Sequence, residues 1–175
     1  PFQAVHIPVQ APQEFIEQYM GVYDVGWEQL RQDRLTKALE LGVVGQGAAM
    51  VEMSTTQDWD ALPDDRKRYE AKRMAVYGGM VAAMDFHIGR LIEYLKATGQ
   101  YDNTLFIFTS DNGTEVSGAT DPSRVQAQVL IRNQGYTSEY ETLGLKGSFN
   151  SISPSFASAS ASPLAFYKFY AGEGG

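Results

Sequence analysis

The sequence contains no cysteine among its 175 residues, so a disulfide, a thiolate metal site and a cysteine nucleophile are excluded within it. It also lacks an apolar run of about 18 residues, the length that a membrane-spanning helix needs. No charged start followed by an apolar segment is present, so these residues contain no signal peptide. None of these absences decides the compartment, which stays open.

Basic residues are few: 14 lysines and arginines stand against 21 aspartates and glutamates, for a formal net charge of -7. Nucleic-acid binding relies on clustered lysine and arginine, so a nucleic-acid partner is not expected. What is present is a globular composition, 43% hydrophobic and 12% aromatic, which is enough for a core in one unit.

The chain begins at Pro1 and ends on two glycines, which indicates a piece of a longer protein.

The most informative motif is an apolar run, Leu105 to Phe108, that stops at Thr109 and is followed by Asp111, Asn112 and Gly113. Open α/β sheets place their sites at the carboxyl ends of buried strands. A carboxylate oxygen and an amide oxygen are ligands for a hard cation, and glycine allows a sharp turn. The motif therefore indicates a metal site. The alternative is an ordinary turn, because Asp, Asn and Gly are common turn residues.

Helical patterns precede this motif. Pro12 is placed to start a short helix, and a second helix is predicted from Asp24 to Leu41. A long helix is predicted from about Asp64 to Ala97, with an apolar stripe in steps of three and four and Gly99 as its terminator. A buried strand at Thr104 to Phe108 would follow directly. Helix followed by strand favours an α/β layer fold.

Other segments have weaker patterns. Phe2 to Val5 is a candidate strand that places His6 at its end, and Val125 to Ile131 is a candidate short helix. Ser148 to Ser162 is rich in serine and alanine but too apolar around its edges for a tether, so it is predicted to form an irregular packed wall. Four acidic residues are interpreted as solvated surface charges: Asp24, Asp58, Asp60 and Glu70.

Four segments in colinear order resemble the type I sulfatases of the alkaline phosphatase superfamily, and bacterial arylsulfatases in particular. The segments are Ala4 to Pro12, Tyr23 to Leu41, Met74 to Gly113, and Phe166 to Gly175. The resemblance implies an α/β fold of the alkaline phosphatase type, a mixed sheet sandwiched by helices, of which only the middle portion is present. Residues 1–175 would then be a partial sulfatase catalytic domain.

The resemblance also implies roles for individual residues. Asp111 and Asn112 match the second pair of calcium ligands at the end of a central strand. His6 matches a histidine that contacts the sulfate ester, and Lys168, before Glu173-Gly174-Gly175, matches a lysine that contacts the same group. Lys146, in a Leu-Lys-Gly-Ser context, competes with Lys168 for that role. His87, which no matching motif selects, is interpreted as structural.

Other parts of the site would lie outside the chain. The resemblance implies a formylglycine, made from Cys or Ser, and a first pair of metal-binding aspartates, all before Pro1. An all-oxygen pair such as Asp111 and Asn112 suits Ca2+, with Mg2+ less favoured, whereas superfamily phosphatases tend to place a histidine after the aspartate. The implied partner is a small-molecule or carbohydrate sulfate ester.

The function implied for the parent protein is that of a sulfuric ester hydrolase. One alternative is a phosphodiesterase or phosphonate monoester hydrolase of the same superfamily. Another is a fragment or binding module that keeps the fold without turnover. Neither the sulfate ester nor the oligomeric state is specified by these residues. A periplasmic or secreted location is compatible with the resemblance.

Overall fold

The computed structural model describes residues 4–51, 56–116, 129 and 131–172. Helices dominate this part of the chain. They are α1 (Gln13–Glu17), α2 (Gly26–Glu40), α3 (Asp64–Ala97) and α4 (Pro154–Ser160), with 3-10 turns at Tyr101–Asn103 and Tyr140–Thr142. Among the described helices, none is both long enough and apolar enough to cross a membrane.

Helix α3 has the predicted bounds. Pro63 is its N-cap, Asp64 and Asp65 lie in its first turn, and Lys96 lies in its last turn, so charges of the favourable sign occupy both ends. Gly99, with φ of 67°, follows its end. The predicted long helix is therefore confirmed, and α2 confirms the second predicted helix to within two residues at each end.

The core lies where the first half of α3 meets α2 and α4. Its centre is a group of three rings, Trp27, Trp59 and Phe156, whose centroids lie between 4.7 and 5.9 Å apart at steep interplanar angles. The Trp27 indole donates a 2.7 Å hydrogen bond to the carbonyl of Gln57. Edge-to-face rings of this kind bury large apolar areas and favour one geometry over others.

Glycine allows α1 to lie close to α3. A Cβ on Gly79 would come within 2.9 Å of the backbone nitrogen of Ile16, and a Cβ on Gly144, which has φ of 86°, within 2.6 Å of Val76. Larger side chains at either position would push these segments apart. Because Gly79 and Gly144 have no side chain, residues 9–16 and 144–150 can pack against the same helix. The Val9 N–H links the two segments by donating to the Asn150 carbonyl at 2.7 Å.

Glu70 was predicted to be a solvated surface charge, and that prediction was wrong. Its side chain is 2% exposed, and Arg73 Nη1 donates to both of its carboxylate oxygens at 2.9 and 3.1 Å. Arg66 contacts Glu70 at 2.8 Å as well. Helical spacing of three and four residues brings these charges together, and a buried carboxylate needs such partners.

The serine- and alanine-rich segment packs inside, as predicted, but it is not irregular throughout. Residues Pro154–Ser160 form α4, with Pro154 in the first turn and Ser153 Oγ accepting from the Phe156 N–H. Ser158 Oγ accepts a 2.9 Å hydrogen bond from Arg31 Nη1. Small residues suit this helix because α2 packs directly against it.

The predicted buried strand at Thr104 to Phe108 is not formed in the described residues. Leu105 and Ile107 are 84% and 82% exposed. A strand needs a neighbour for its backbone hydrogen bonds, and β-pairing in the described ranges is limited to a bridge between Thr137 and Ser148. The mixed sheet expected from the family resemblance is therefore not confirmed in this chain.

Two of the predicted elements lie only partly within the described residues. In the candidate strand Phe2 to Val5, the first two residues lie outside the described ranges, and Ala4 and Val5 form a turn. The candidate helix Val125 to Ile131 lies mostly outside them as well. Its described residues, Val129 and Ile131, are helical.

Truncating the ring at the centre of the core should destabilise the chain. We expect Phe156→Ala to lower the free energy of unfolding by about 3–5 kcal/mol, because it leaves a cavity between two tryptophans. Urea denaturation followed by tryptophan fluorescence measures this, since both tryptophans of the sequence lie in the core. The control, Phe108→Ala at an exposed position, should change it by less than about 0.5 kcal/mol. A loss below about 1 kcal/mol for Phe156→Ala would contradict this description of the core.

Candidate active site

Three charged or titratable side chains meet at one point on the surface. Lys168 Nζ lies 3.1 Å from His6 Nε2, although 162 residues separate them in the sequence. His6 Nε2 lies 2.8 Å from Glu115 Oε2, and Lys168 Nζ donates to the same oxygen. Glu115 is 4% exposed, whereas His6 is 53% exposed. His6 therefore faces solvent and Lys168 is half-buried, and both contact a buried carboxylate.

The backbone positions these side chains from three segments. The Lys168 N–H donates to the Thr114 carbonyl at 3.1 Å, so Lys168 is held beside the residue that precedes Glu115. His6 lies before the segment that is tied to Asn150 through Val9. The Glu173-Gly174-Gly175 element, which helped to select Lys168, lies outside the described residues.

Glu115 was missed in the sequence analysis. It stands four residues after Asp111, just past the acid–amide turn. That position is the one signal in the sequence, because Glu115 lies far from both His6 and Lys168 along the chain. Its burial could not be inferred, because it depends on segments distant in sequence.

Asp111 and Asn112 lie at the end of the exposed apolar segment. Asp111 is exposed and Asn112 is half-buried, and Ser110 Oγ donates a 2.7 Å hydrogen bond to the Asn112 carbonyl. Their side-chain oxygens have the chemistry of ligands for Ca2+ or Mg2+. Within the described ranges, however, no group of three or more His, Cys, Asp or Glu residues could hold a metal. The turn fits half of a cation site, and its assignment as ligand stays a prediction.

The competing residues lie elsewhere. Lys146 is exposed near the Thr137–Ser148 bridge. His87 lies on the exposed second half of α3, where its ring packs against Phe86 with centroids 5.3 Å apart. The described structure brings Lys168, rather than either of these, into contact with His6.

Tyr77 of helix α3 is close enough to the site for the Glu115 carboxylate to affect its pKa. Burial raises the pKa of Tyr77 to about 12, with smaller contributions from Arg34, which lowers it, and from Tyr23 and Glu115, which raise it. Its phenol therefore stays neutral near pH 7. Tyr77 adds no charge at this pH to the group of His6, Lys168 and Glu115.

This arrangement suits an anionic ligand. An ammonium and an imidazole that lie side by side can bind an anion by charge-assisted hydrogen bonds. His6 Nε2 can donate to Glu115 Oε2 when it carries a proton, and can accept from Lys168 Nζ in the tautomer whose proton is on Nδ1. The geometry therefore combines anion binding with proton transfer at one point.

Comparisons with known proteins assign the chain to a family. Residues 1–148 match the family model described as Sulfatase. An uncharacterised sulfatase of Schizosaccharomyces pombe is 37% identical over 177 positions, which cover 100% of this chain and 32% of that protein. An arylsulfatase of Klebsiella aerogenes is 35% identical, over 99% of this chain and 37% of that protein.

A shorter match reaches the wider superfamily. The multifunctional alkaline phosphatase superfamily protein PehA of Trinickia caryophylli is 48% identical over 42 residues, 24% of this chain and 8% of that protein. The family match and the two long alignments make the chain a member of the alkaline phosphatase superfamily. Within it, the chain belongs to the sulfatase family. It spans about a third of the length of these two relatives, the sulfatase of Schizosaccharomyces pombe and the arylsulfatase of Klebsiella aerogenes.

The acid–amide turn should not bind calcium tightly in residues 1–175 alone. We expect a dissociation constant weaker than about 1 mM, because two oxygen-bearing side chains fall short of the six to eight ligands that Ca2+ takes. Isothermal titration of the purified chain with CaCl2 measures it, with Asp111→Ala as the matched control. Micromolar affinity that Asp111→Ala removes would contradict the assignment of the turn as half a site.

Proposed function

We propose that residues 1–175 are the middle part of a sulfatase catalytic domain, and that the complete enzyme hydrolyses sulfate monoesters in the manner of an arylsulfatase. The observation that supports this best is the contact between His6 and Lys168, which come from opposite ends of the chain. Both were selected from the sequence as sulfate contacts. The 35% identity to an arylsulfatase over 99% of the chain adds support.

In this proposal the two basic groups have different roles. Lys168 places positive charge against the sulfate oxygens and stabilises the charge that develops as the ester bond breaks. His6, the more exposed of the pair, hands a proton to the departing alkoxide or aryloxide. Glu115 stays behind both groups, away from solvent.

Two components would come partly or wholly from outside the chain. Asp111 and Asn112 would supply two oxygen ligands to a divalent cation, Ca2+ in preference to Mg2+, with the remaining ligands from other segments. Such a cation, when bound, polarises a sulfate oxygen. The nucleophile would be a formylglycine located before Pro1. The chain's own contribution is therefore to bind the ester and to move the proton.

The sulfatase family has an alkaline phosphatase-like α/β fold, and we propose that the segment Thr104 to Phe108 is a buried strand of its mixed sheet in the complete enzyme. Four consecutive apolar residues are costly to leave in water, and their exposure marks a surface that another element covers. The acid–amide turn at its end would then stand at the carboxyl edge of that sheet.

A substitution in this segment should act differently in the chain and in the complete enzyme. In residues 1–175 alone, we expect Ile107→Ala to change the free energy of unfolding by less than about 0.5 kcal/mol, because Ile107 is exposed. In the complete enzyme it should cost about 2–5 kcal/mol, as for a buried isoleucine. Denaturant titrations of both forms measure the difference. A small effect in both would contradict the proposed strand.

A phosphoester substrate is the second candidate, since the match to PehA, named as a multifunctional alkaline phosphatase superfamily protein, covers 42 residues. A phosphodiesterase or phosphonate monoester hydrolase would need the same basic pair. The pairing of Asp111 with Asn112 instead of a histidine favours the sulfate ester.

The complete enzyme should turn over p-nitrophenyl sulfate faster than p-nitrophenyl phosphate. His6→Ala and Lys168→Met should each lower kcat/KM for the sulfate by about 10²–10³, because each removes a group that stabilises the transition state. Initial rates on both esters measure this.

Lys146→Met is the matched control for Lys168→Met, and it should stay within about threefold of wild type, since Lys146 is an exposed surface residue. A strong preference for the phosphate ester would favour the second candidate. If Lys146→Met lowered kcat/KM more than Lys168→Met did, Lys146 and not Lys168 would be the lysine that contacts the sulfate.

A further inference from the structure

Glu115 occupies an unusual position for a carboxylate in an anion-binding site. It is buried, it points at the two groups proposed to contact the sulfate, and a single oxygen, Oε2, contacts both Lys168 Nζ and His6 Nε2. A free carboxylate at the surface would repel an anionic ester. Burial behind the basic pair keeps its charge away from the substrate side.

The Glu115 carboxylate restricts and stabilises the positions of Lys168 and His6. Lys168 has a long, flexible side chain whose ammonium would otherwise sample many positions. Two basic groups 3.1 Å apart also repel each other when both are protonated. A shared acceptor offsets that repulsion and restricts both groups to one geometry.

The backbone supports the same function. Lys168 is anchored twice to neighbouring residues, through its N–H to the Thr114 carbonyl at 3.1 Å and through Nζ to Glu115. The stretch that carries Thr114 and Glu115 begins with Asp111 and Asn112. Lysine, histidine and the acid–amide turn are thus joined through one short segment.

From these contacts we infer that Glu115 is a positioning residue, which acts on the reaction through Lys168 and His6 without touching the ester. The inference rests on the proposed function, in which these two groups bind the sulfate and protonate the leaving group. In this inference the Glu115 carboxylate keeps the His6 imidazole and the Lys168 ammonium at fixed positions relative to each other. Its removal should therefore weaken catalysis most for the substrates that depend most on that proton.

The test compares Glu115→Gln with wild type in the complete enzyme on two esters, phenyl sulfate and p-nitrophenyl sulfate. Phenolate is the stronger base and needs protonation more. We expect the loss in kcat/KM to be on the order of tenfold larger for phenyl sulfate than for p-nitrophenyl sulfate. The ratio of the two rates does not depend on how much of the protein is folded, so a merely structural role would leave it unchanged.

A matched control and a second variant make the test independent of folding. Glu93→Gln removes the carboxylate of an exposed ion pair with Lys96, 2.9 Å apart, and should leave the ratio at its wild-type value. If Glu115→Gln yields no soluble enzyme, Glu115→Asp, which keeps the charge but shortens the reach, should change the ratio in the same direction. In a His6→Ala background, which lacks the proton donor, Glu115→Gln should no longer change the ratio, because the two residues act on the same step.

The outcomes separate the two claims. A wild-type enzyme that cleaves both sulfates while Glu115→Gln keeps the wild-type ratio overturns the positioning role and leaves the proposed function standing. A Glu115→Gln change in the ratio that persists in the His6→Ala background also overturns it. A wild-type enzyme that cleaves neither sulfate overturns the proposed function and, with it, the positioning role.

Discussion

The described structure depends on the close packing of residues 9–16 and 144–150 against the first half of α3. Gly79 permits the backbone of Ile16 to approach, and Gly144 permits the side chain of Val76 to do so. Interiors are packed so densely that one added methylene is felt, so these contacts leave little freedom. They place two segments distant in sequence on one helix, and the separate bond from the Lys168 N–H to the Thr114 carbonyl holds Lys168 beside Glu115.

Buried carboxylates recur in this packing, and each is contacted by two basic side chains. Glu70 lies between Arg66 and Arg73 in the interior, and Glu115 lies beneath His6 and Lys168 near the surface. A buried charge is costly unless it is paired and hydrogen-bonded, so such pairs contribute little net stability. Glu70 pairs with two arginines of its own helix, whereas Glu115 joins side chains from two distant segments. One of those side chains, His6, is 53% exposed, and this makes Glu115 a candidate for function.

The exposed apolar segment before Asp111 explains the one large disagreement between sequence and structure. Leu105 to Phe108 has the composition of a buried strand, but within the described part of the chain no neighbouring strand pairs with it. The hydrophobicity of a segment predicts that it is buried, but it does not identify the element that packs against it. The family membership and the coverage of about a third of the relatives' length are consistent with burial by segments outside this chain.

The sequence by itself determined the features that depend on local patterns. Helical periodicity and end signals predicted α2 and α3, and the colinear motifs predicted the family and brought His6 and Lys168 forward as a pair. Only the tertiary structure decided that Glu70 is buried, that Pro154–Ser160 is helical, and that Glu115 joins the two basic groups. The physical reason is that burial and ion pairing arise between residues up to 162 positions apart, and neither periodicity nor composition encodes such distances.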